Sequence, residues 1–175
     1  MAYQRSTVPM AAVDGVSAGL LLFRMMLGLI MAAHGAQKLF GWFGGDGLDR
    51  TAKGFLLLGY PWPKAMAVMS GLCEGLGGVG IFLGLLTPLA AAALLGNMIN
   101  ALWVTWGGGF FAPKGVEYTL LITVGAAALA LTGPGRYAVD PYLPVPMLRE
   151  HRAVYGVAAI VLAGVAALVV LLIRG

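Results

Sequence analysis

Five apolar stretches dominate this chain, each close to the roughly 20 residues that a bilayer-spanning helix needs. They run from about Val16 to Leu39, Pro63 to Leu86, Thr87 to Trp106, Val116 to Leu131, and Arg152 or Ala153 to Ile173. Composition leaves no soluble alternative. Of the 175 residues 60% are hydrophobic and only 10% are charged, where soluble domains average about 45–50% and about 25%. Eleven basic and seven acidic side chains cannot cover a water-exposed surface. An ordinary soluble domain, a disordered chain and a disulfide scaffold are therefore excluded, and the chain reads as an all-α polytopic membrane protein.

The first stretch follows a short polar segment, Tyr3-Gln4-Arg5-Ser6. It is too long for the apolar region of a secretory signal and lacks a clean small-residue cleavage site, so it is expected to stay as a helix. Pro88 suits the first turn of the third helix, and Thr132-Gly133-Pro134-Gly135 ends the fourth. Almost nothing joins the second and third stretches, which predicts a tight hairpin. The 25 or so residues after Leu39 contain a short amphipathic piece ending near Leu58, with Asp46 or Asp49 as its cap. It should lie at the membrane interface.

With the N-terminal side termed side A, all four tryptophans (Trp42, Trp62, Trp103, Trp106) fall on side B. They form either an interfacial belt or an aromatic mouth for a flat apolar ligand such as a quinone. Net charge is +4, but the basic residues are scattered singly, so no nucleic-acid partner is expected. Side A carries Arg5, Arg136, Arg149 and Arg152; side B carries Lys38, Arg50, Lys53, Lys64, Lys114 and Arg174. Charge alone does not orient the chain.

Chemistry-bearing groups are few. The single cysteine, Cys73, excludes an intramolecular disulfide, a dithiol pair and a cysteine zinc site. His151 falls in a loop, which disfavours a bis-histidine haem beside His34, and no metal site is expected. Ionisable groups within membrane helices are costly and point to function. Counting about 1.5 Å per residue from side A puts Arg24, Asn97, Glu74 and Asn100 near mid-membrane. They are expected to form one polar cluster with an Arg24–Glu74 ion pair, acting as a structural clamp, a proton relay or a polar ligand site. His34 and Lys38 share a helix face one turn apart. With Glu117, Trp103 and Trp106 they make a second candidate, a ligand or quinone site towards side B. Gly71-x-x-x-Gly75 and Gly80-x-x-x-Gly84 promise close helix contact, within the chain or between copies.

Three stretches carry a family resemblance. They are Arg24-x-x-x-Gly28 with His34-Gly35-x-x-Lys38-Leu39-Phe40-Gly41; Glu74-x-x-Gly77-Gly78 with Leu83-Gly84-Leu85-Leu86-Thr87-Pro88; and Gly115-Val116-Glu117-Tyr118 with Gly133-Pro134-Gly135-Arg136-Tyr137-x-x-Asp140. In these the chain resembles the DoxX family of small bacterial membrane proteins. The resemblance implies a four-helix domain, placed over residues 1–140, and a cytoplasmic side A; the linker and fifth transmembrane helix over 141–175 are an addition outside the resemblance. One member type is a subunit of a thiosulfate:quinone oxidoreductase, and another resembles a membrane tether for a thiol and superoxide detoxifying complex.

The leading expectation is thus a multi-pass protein of the bacterial cytoplasmic membrane that anchors or supports a redox-linked complex. It would have other protein subunits as partners, homo-oligomerisation as a further option, and no cofactor of its own. The alternatives are a quinone-binding oxidoreductase subunit using His34, Lys38 and Glu117, and a small-molecule or lipid carrier using the Arg24–Glu74 centre. Whether the chain is itself an enzyme stays open.

Overall fold

The computed structural model describes residues 10–150 and 152–174. Arg5 and His151, used above, lie outside the described residues. Among the described residues all regular structure is helical: α1 (Met10–Phe40), α2 (Gly47–Leu57), α3 (Pro63–Leu83), α4 (Thr87–Thr105), α5 (Glu117–Thr132), α6 (Pro146–Arg149) and α7 (Ala153–Leu172), with single 3-10 turns between some of them. Four helices among the described residues are long and apolar enough to cross a membrane: Gly15–Phe40, Pro63–Leu83, Thr87–Gly108 and Ala153–Leu172. The sixteen residues of α5 span about 24 Å, somewhat less than the roughly 30 Å hydrocarbon core.

α1 and α3 pack antiparallel and nearly backbone to backbone. A Cβ on Gly28 would lie 2.5 Å from Gly78 O and Phe82 N, and one on Gly35 would collide with the backbone of Gly75. Only glycine permits this approach. Gly71 likewise faces Leu39 of α1, while Gly80 faces Ala90 of α4. Both glycine pairs are therefore spent on contacts inside the chain. The fully buried residues Met31, Ile81, Leu94 and Leu129 fill the space between α1, α3, α4 and α5.

α7 lies against α4 and α5. Its buried residues are Gly156, Ala159, Ala163 and Ala167, a stripe of small side chains at helical spacing that lets it sit close to its neighbours. Gly156 abuts the Ala130 backbone, and Ala163 abuts Gly96. Its larger residues, among them Val154, Val161, Leu168 and Leu172, point outwards, where a bilayer solvates them as well as a protein core would.

The α3–α4 hairpin closes within three residues. Gly84 (φ 63°) ends α3 in the left-handed region, and Leu85 N donates to Gly80 O at 2.8 Å, the bond of a Schellman motif. Leu86, although not glycine, also takes a positive φ of 48°, a conformation that costs an L-residue about 1–2 kcal/mol. α2 is the expected amphipathic piece. Asp46 stands at its N-cap position but makes no side-chain cap bond; its carboxylate instead lies 3.6 Å from Arg50.

Candidate functional site

Glu74 sits almost fully enclosed on α3. Its Oε1 accepts hydrogen bonds from Lys38 Nζ at 2.6 Å and from Asn97 Nδ2 at 2.8 Å. Lys38 Nζ also donates to Ser70 Oγ at 3.0 Å. The pair is charged, short and multiply bonded, as a low-dielectric setting requires. Yet Glu74 Oε2 is buried with no partner among the described residues. The expected Arg24–Glu74 pair is not formed, and the helix register explains why. Gly35 faces Gly75 and Gly28 faces Phe82, which sets residue 36 opposite Glu74. Lys38 is two positions from that level, whereas Arg24 is twelve, about 18 Å along the helix.

Arg24 instead serves the hairpin. Its guanidinium donates to the carbonyls of Phe82 and Tyr137, with a longer bond to Ile81 O at 3.5 Å. On the other helix of the hairpin, the Asp140 carboxylate accepts from Leu86 N at 2.6 Å and Thr87 N at 3.0 Å. A cation thus caps the carbonyl end of α3 and an anion caps the amide end of α4, each at the pole its helix dipole favours. The Asp140 bonds hold Leu86 in its strained conformation. The chain around Asp140 is itself tied down, with Asp140 N donating to Gly84 O at 2.9 Å. The expected mid-membrane cluster therefore resolves into two sites. Asn97 joins Glu74. Asn100 lies near it, with its Nδ2 3.1 Å from Gly96 O and its Oδ1 accepting from Tyr60 Oη at 3.4 Å.

Lys38 opens onto a cavity of about 560 Å³ on side B. α1 contributes His34, Gln37 and Lys38; α3 and α4 contribute Ser70, Asn97 and Asn100; α2 and the turn before it form the remaining wall. The amphipathic helix thus covers a polar chamber. Tyr60, in the α2–α3 link, is buried in this wall. Burial pushes its phenol above the usual value, against the opposing pull of the Arg174 guanidinium, which lies 5.5 Å from its ring centre.

The second expected group is only partly assembled. His34 and Lys38 both line the cavity. Glu117 does not: its Oε1 accepts from Ala112 N at 2.8 Å and closes the loop before α5. The neighbour of His34 is Tyr118, whose Oη lies 3.0 Å from His34 Nε2. Trp103 and Trp106 face outwards with Ile99 and Leu102, lining a separate apolar hollow. Ser70 and Tyr60 were missed. Ser70 lies one helical turn before Glu74, so the i, i+4 spacing was a usable signal; nothing in the sequence marked Tyr60. Among the described residues no three His, Cys, Asp or Glu side chains converge as a metal set.

Fold and site together define a helical, polytopic membrane protein with a polar centre enclosed between its helices. Within that class the chain belongs to the DoxX family, whose profile matches residues 19–107. It is 32% identical over 126 residues to a Bacillus subtilis protein named "Putative oxidoreductase CatD", covering 71% of this chain and 87% of that one. It is 30% identical over 130 residues to "Uncharacterized membrane protein Rv3486" of Mycobacterium tuberculosis, covering 67% and 76%. No solved structure matches the chain.

Proposed function

We propose that this protein is a quinone-binding subunit of a redox-linked complex in the bacterial cytoplasmic membrane, with the quinone ring in the side B cavity. The observation that carries this reading is the cavity itself. Its volume of about 560 Å³ falls in the roughly 300–1,000 Å³ range of small-molecule sites. Its wall offers the hydrogen-bond donors that quinone oxygens require: the Lys38 ammonium, the second N–H of the Asn97 amide, and the Ser70 hydroxyl, which accepts from Lys38 and keeps its own proton to give. Lys38 is the strongest of these, because its charge is only partly spent on Glu74 while its side chain stays 30% exposed. The name carried by the B. subtilis relative supports a redox setting. A cavity of this size lined by a lysine, a histidine and amide groups is more than an anchor needs, so ligand binding ranks ahead of anchoring alone. The carrier reading loses its basis, since Arg24 and Glu74 do not meet.

The test is a titration of a short-chain quinone against the protein in lipid nanodiscs. Saturable binding is expected. Lys38→Met should weaken it by about tenfold or more, as loss of a charge-assisted hydrogen bond would. Trp103→Leu and Glu117→Gln should leave it unchanged. Absence of saturable binding, with stable co-purification of other subunits, would return the reading to an anchor.

A further inference from the structure

A second, smaller space adjoins the cavity. It measures about 130 Å³ and lies between α3, α4 and α7. Phe55, Tyr60, Ser70, Asn97 and Asn100 line both spaces, so the two adjoin along one row of side chains. Their chemistry differs sharply. The cavity wall holds His34, Lys38, Asp46 and Arg50. Beyond the shared row the smaller space has no ionisable group except the Cys73 thiol; its walls are Met66, Met69, Gly96, four alanines of α4 and α7, and Val170.

We infer that this crevice holds the hydrocarbon chain of the same ligand whose ring occupies the cavity. The ligand is then an amphiphile, and α7 is part of its binding site. The inference rests on the headgroup reading above and adds the chain to it. Three observations carry it. Polar and apolar linings meet along one row of side chains, as an amphiphile needs. The crevice is shaped by missing side chains: Gly96 and Ala93 of α4 face Ala166 and Ala167 of α7 across it. It also has an exit, because Met69 and Ala166 at its rim are exposed on the outer surface of the bundle, where further carbons would meet lipid. The volume takes only the first few carbons.

α7 is fixed to this junction at two points. Asn100 Nδ2 lies 3.4 Å from Ala167 O, and Arg174 Nε donates to Leu58 O at 2.6 Å beside Tyr60. The helix that completes the crevice lies outside the segment matched by the family profile, so this chain-binding wall is a feature of the present chain's own C-terminal part.

The experiment compares two quinones with the same ring, one bearing only methyl groups and one bearing a decyl chain, against the protein in nanodiscs. Affinities are corrected for partition into protein-free nanodiscs. The wild type should prefer the decyl compound by about tenfold or more, as burial of two methylenes gives. Ala166→Phe and Ala93→Leu, which fill the crevice from opposite sides, should abolish that preference and leave the methyl compound's affinity unchanged. The inference is overturned if the wild type shows no preference, if the preference survives in both variants, or if both variants lose the methyl compound too. Failure of the headgroup reading looks different: the methyl compound would not bind the wild type at all.

Discussion

Lys38 Nζ lies 2.6 Å from Glu74 Oε1, and the two side chains are unequally enclosed, Glu74 at 4% exposure and Lys38 at 30%. The carboxylate has no access to the cavity except through its partners, whereas the ammonium reaches the cavity directly. Removing either partner leaves a charge behind, but the charge left on Glu74 is the costlier one. Lys38→Met should therefore destabilise the protein by ~3 kcal/mol and Glu74→Leu by less, while the double variant should recover much of the loss. Thermal unfolding of the four proteins in one detergent measures this. Strictly additive losses would show that the pair carries no coupling energy.

Arg24 and Glu74 should behave oppositely. They share no partner and sit at different levels, so Arg24→Leu and Glu74→Leu should add to within about 0.5 kcal/mol. Arg24→Lys should rescue little, because one ammonium cannot replace a planar group that serves several carbonyls. A cycle showing strong coupling between these two residues would contradict the hairpin role of Arg24.

Asp140→Ala removes both acceptors from the α4 amide end and releases Leu86. A cap of this kind is worth about 0.5–2 kcal/mol, and full burial of Asp140 puts the loss at the upper end. Asp140→Asn should lose less, since one oxygen remains to accept. Equal melting temperatures for the wild type and Asp140→Ala would refute the capping assignment.

Two glycines separate packing from propensity. Gly35→Ala forces α1 away from α3 and should cost several times more than Gly164→Ala. A Cβ at Gly164 meets nothing within 4 Å, and alanine there should stabilise α7 by roughly 0.5–1 kcal/mol. If both changes prove neutral, the close α1–α3 approach is absent in the membrane.

Tyr60 predicts an alkaline effect. Its phenol is raised in the folded protein, so the unfolded chain loses that proton first. The stability it contributes is complete below about pH 10, the unfolded value, and declines as pH rises through the folded value. Tyr60→Phe should flatten that alkaline fall in melting temperature. An unchanged profile would mean that Tyr60 is not buried as described.

Much of the fold is legible in local sequence. Helix ends follow from Pro63, Pro88 and Gly133, and α2 follows from its short amphipathic pattern. These signals act over a few residues, through backbone geometry and hydrophobic burial, so they can be read without knowing the partners. The site is less legible. Depth counting treats every helix as starting at one membrane plane, but α1 is offset against α3 by its glycine contacts. That offset exchanged the partner of Glu74 from Arg24 to Lys38 and sent Arg24 to the hairpin. Glu117 and Trp103 share the side B level of His34 yet point elsewhere, because level alone does not fix the direction a side chain faces.

By itself, then, the sequence determined a multi-helix membrane protein in which a handful of charged residues must find partners. The cost of leaving a charge unpaired in a low-dielectric interior is a property of residue type and holds in any arrangement. Tertiary structure alone decided which charges meet. Partner choice depends on helix register and rotation, set here by close contacts such as Gly35 on Gly75, and a shift of a few residues would pair the same side chains differently. The same packing created the cavity beneath α2 and set α7 beside it.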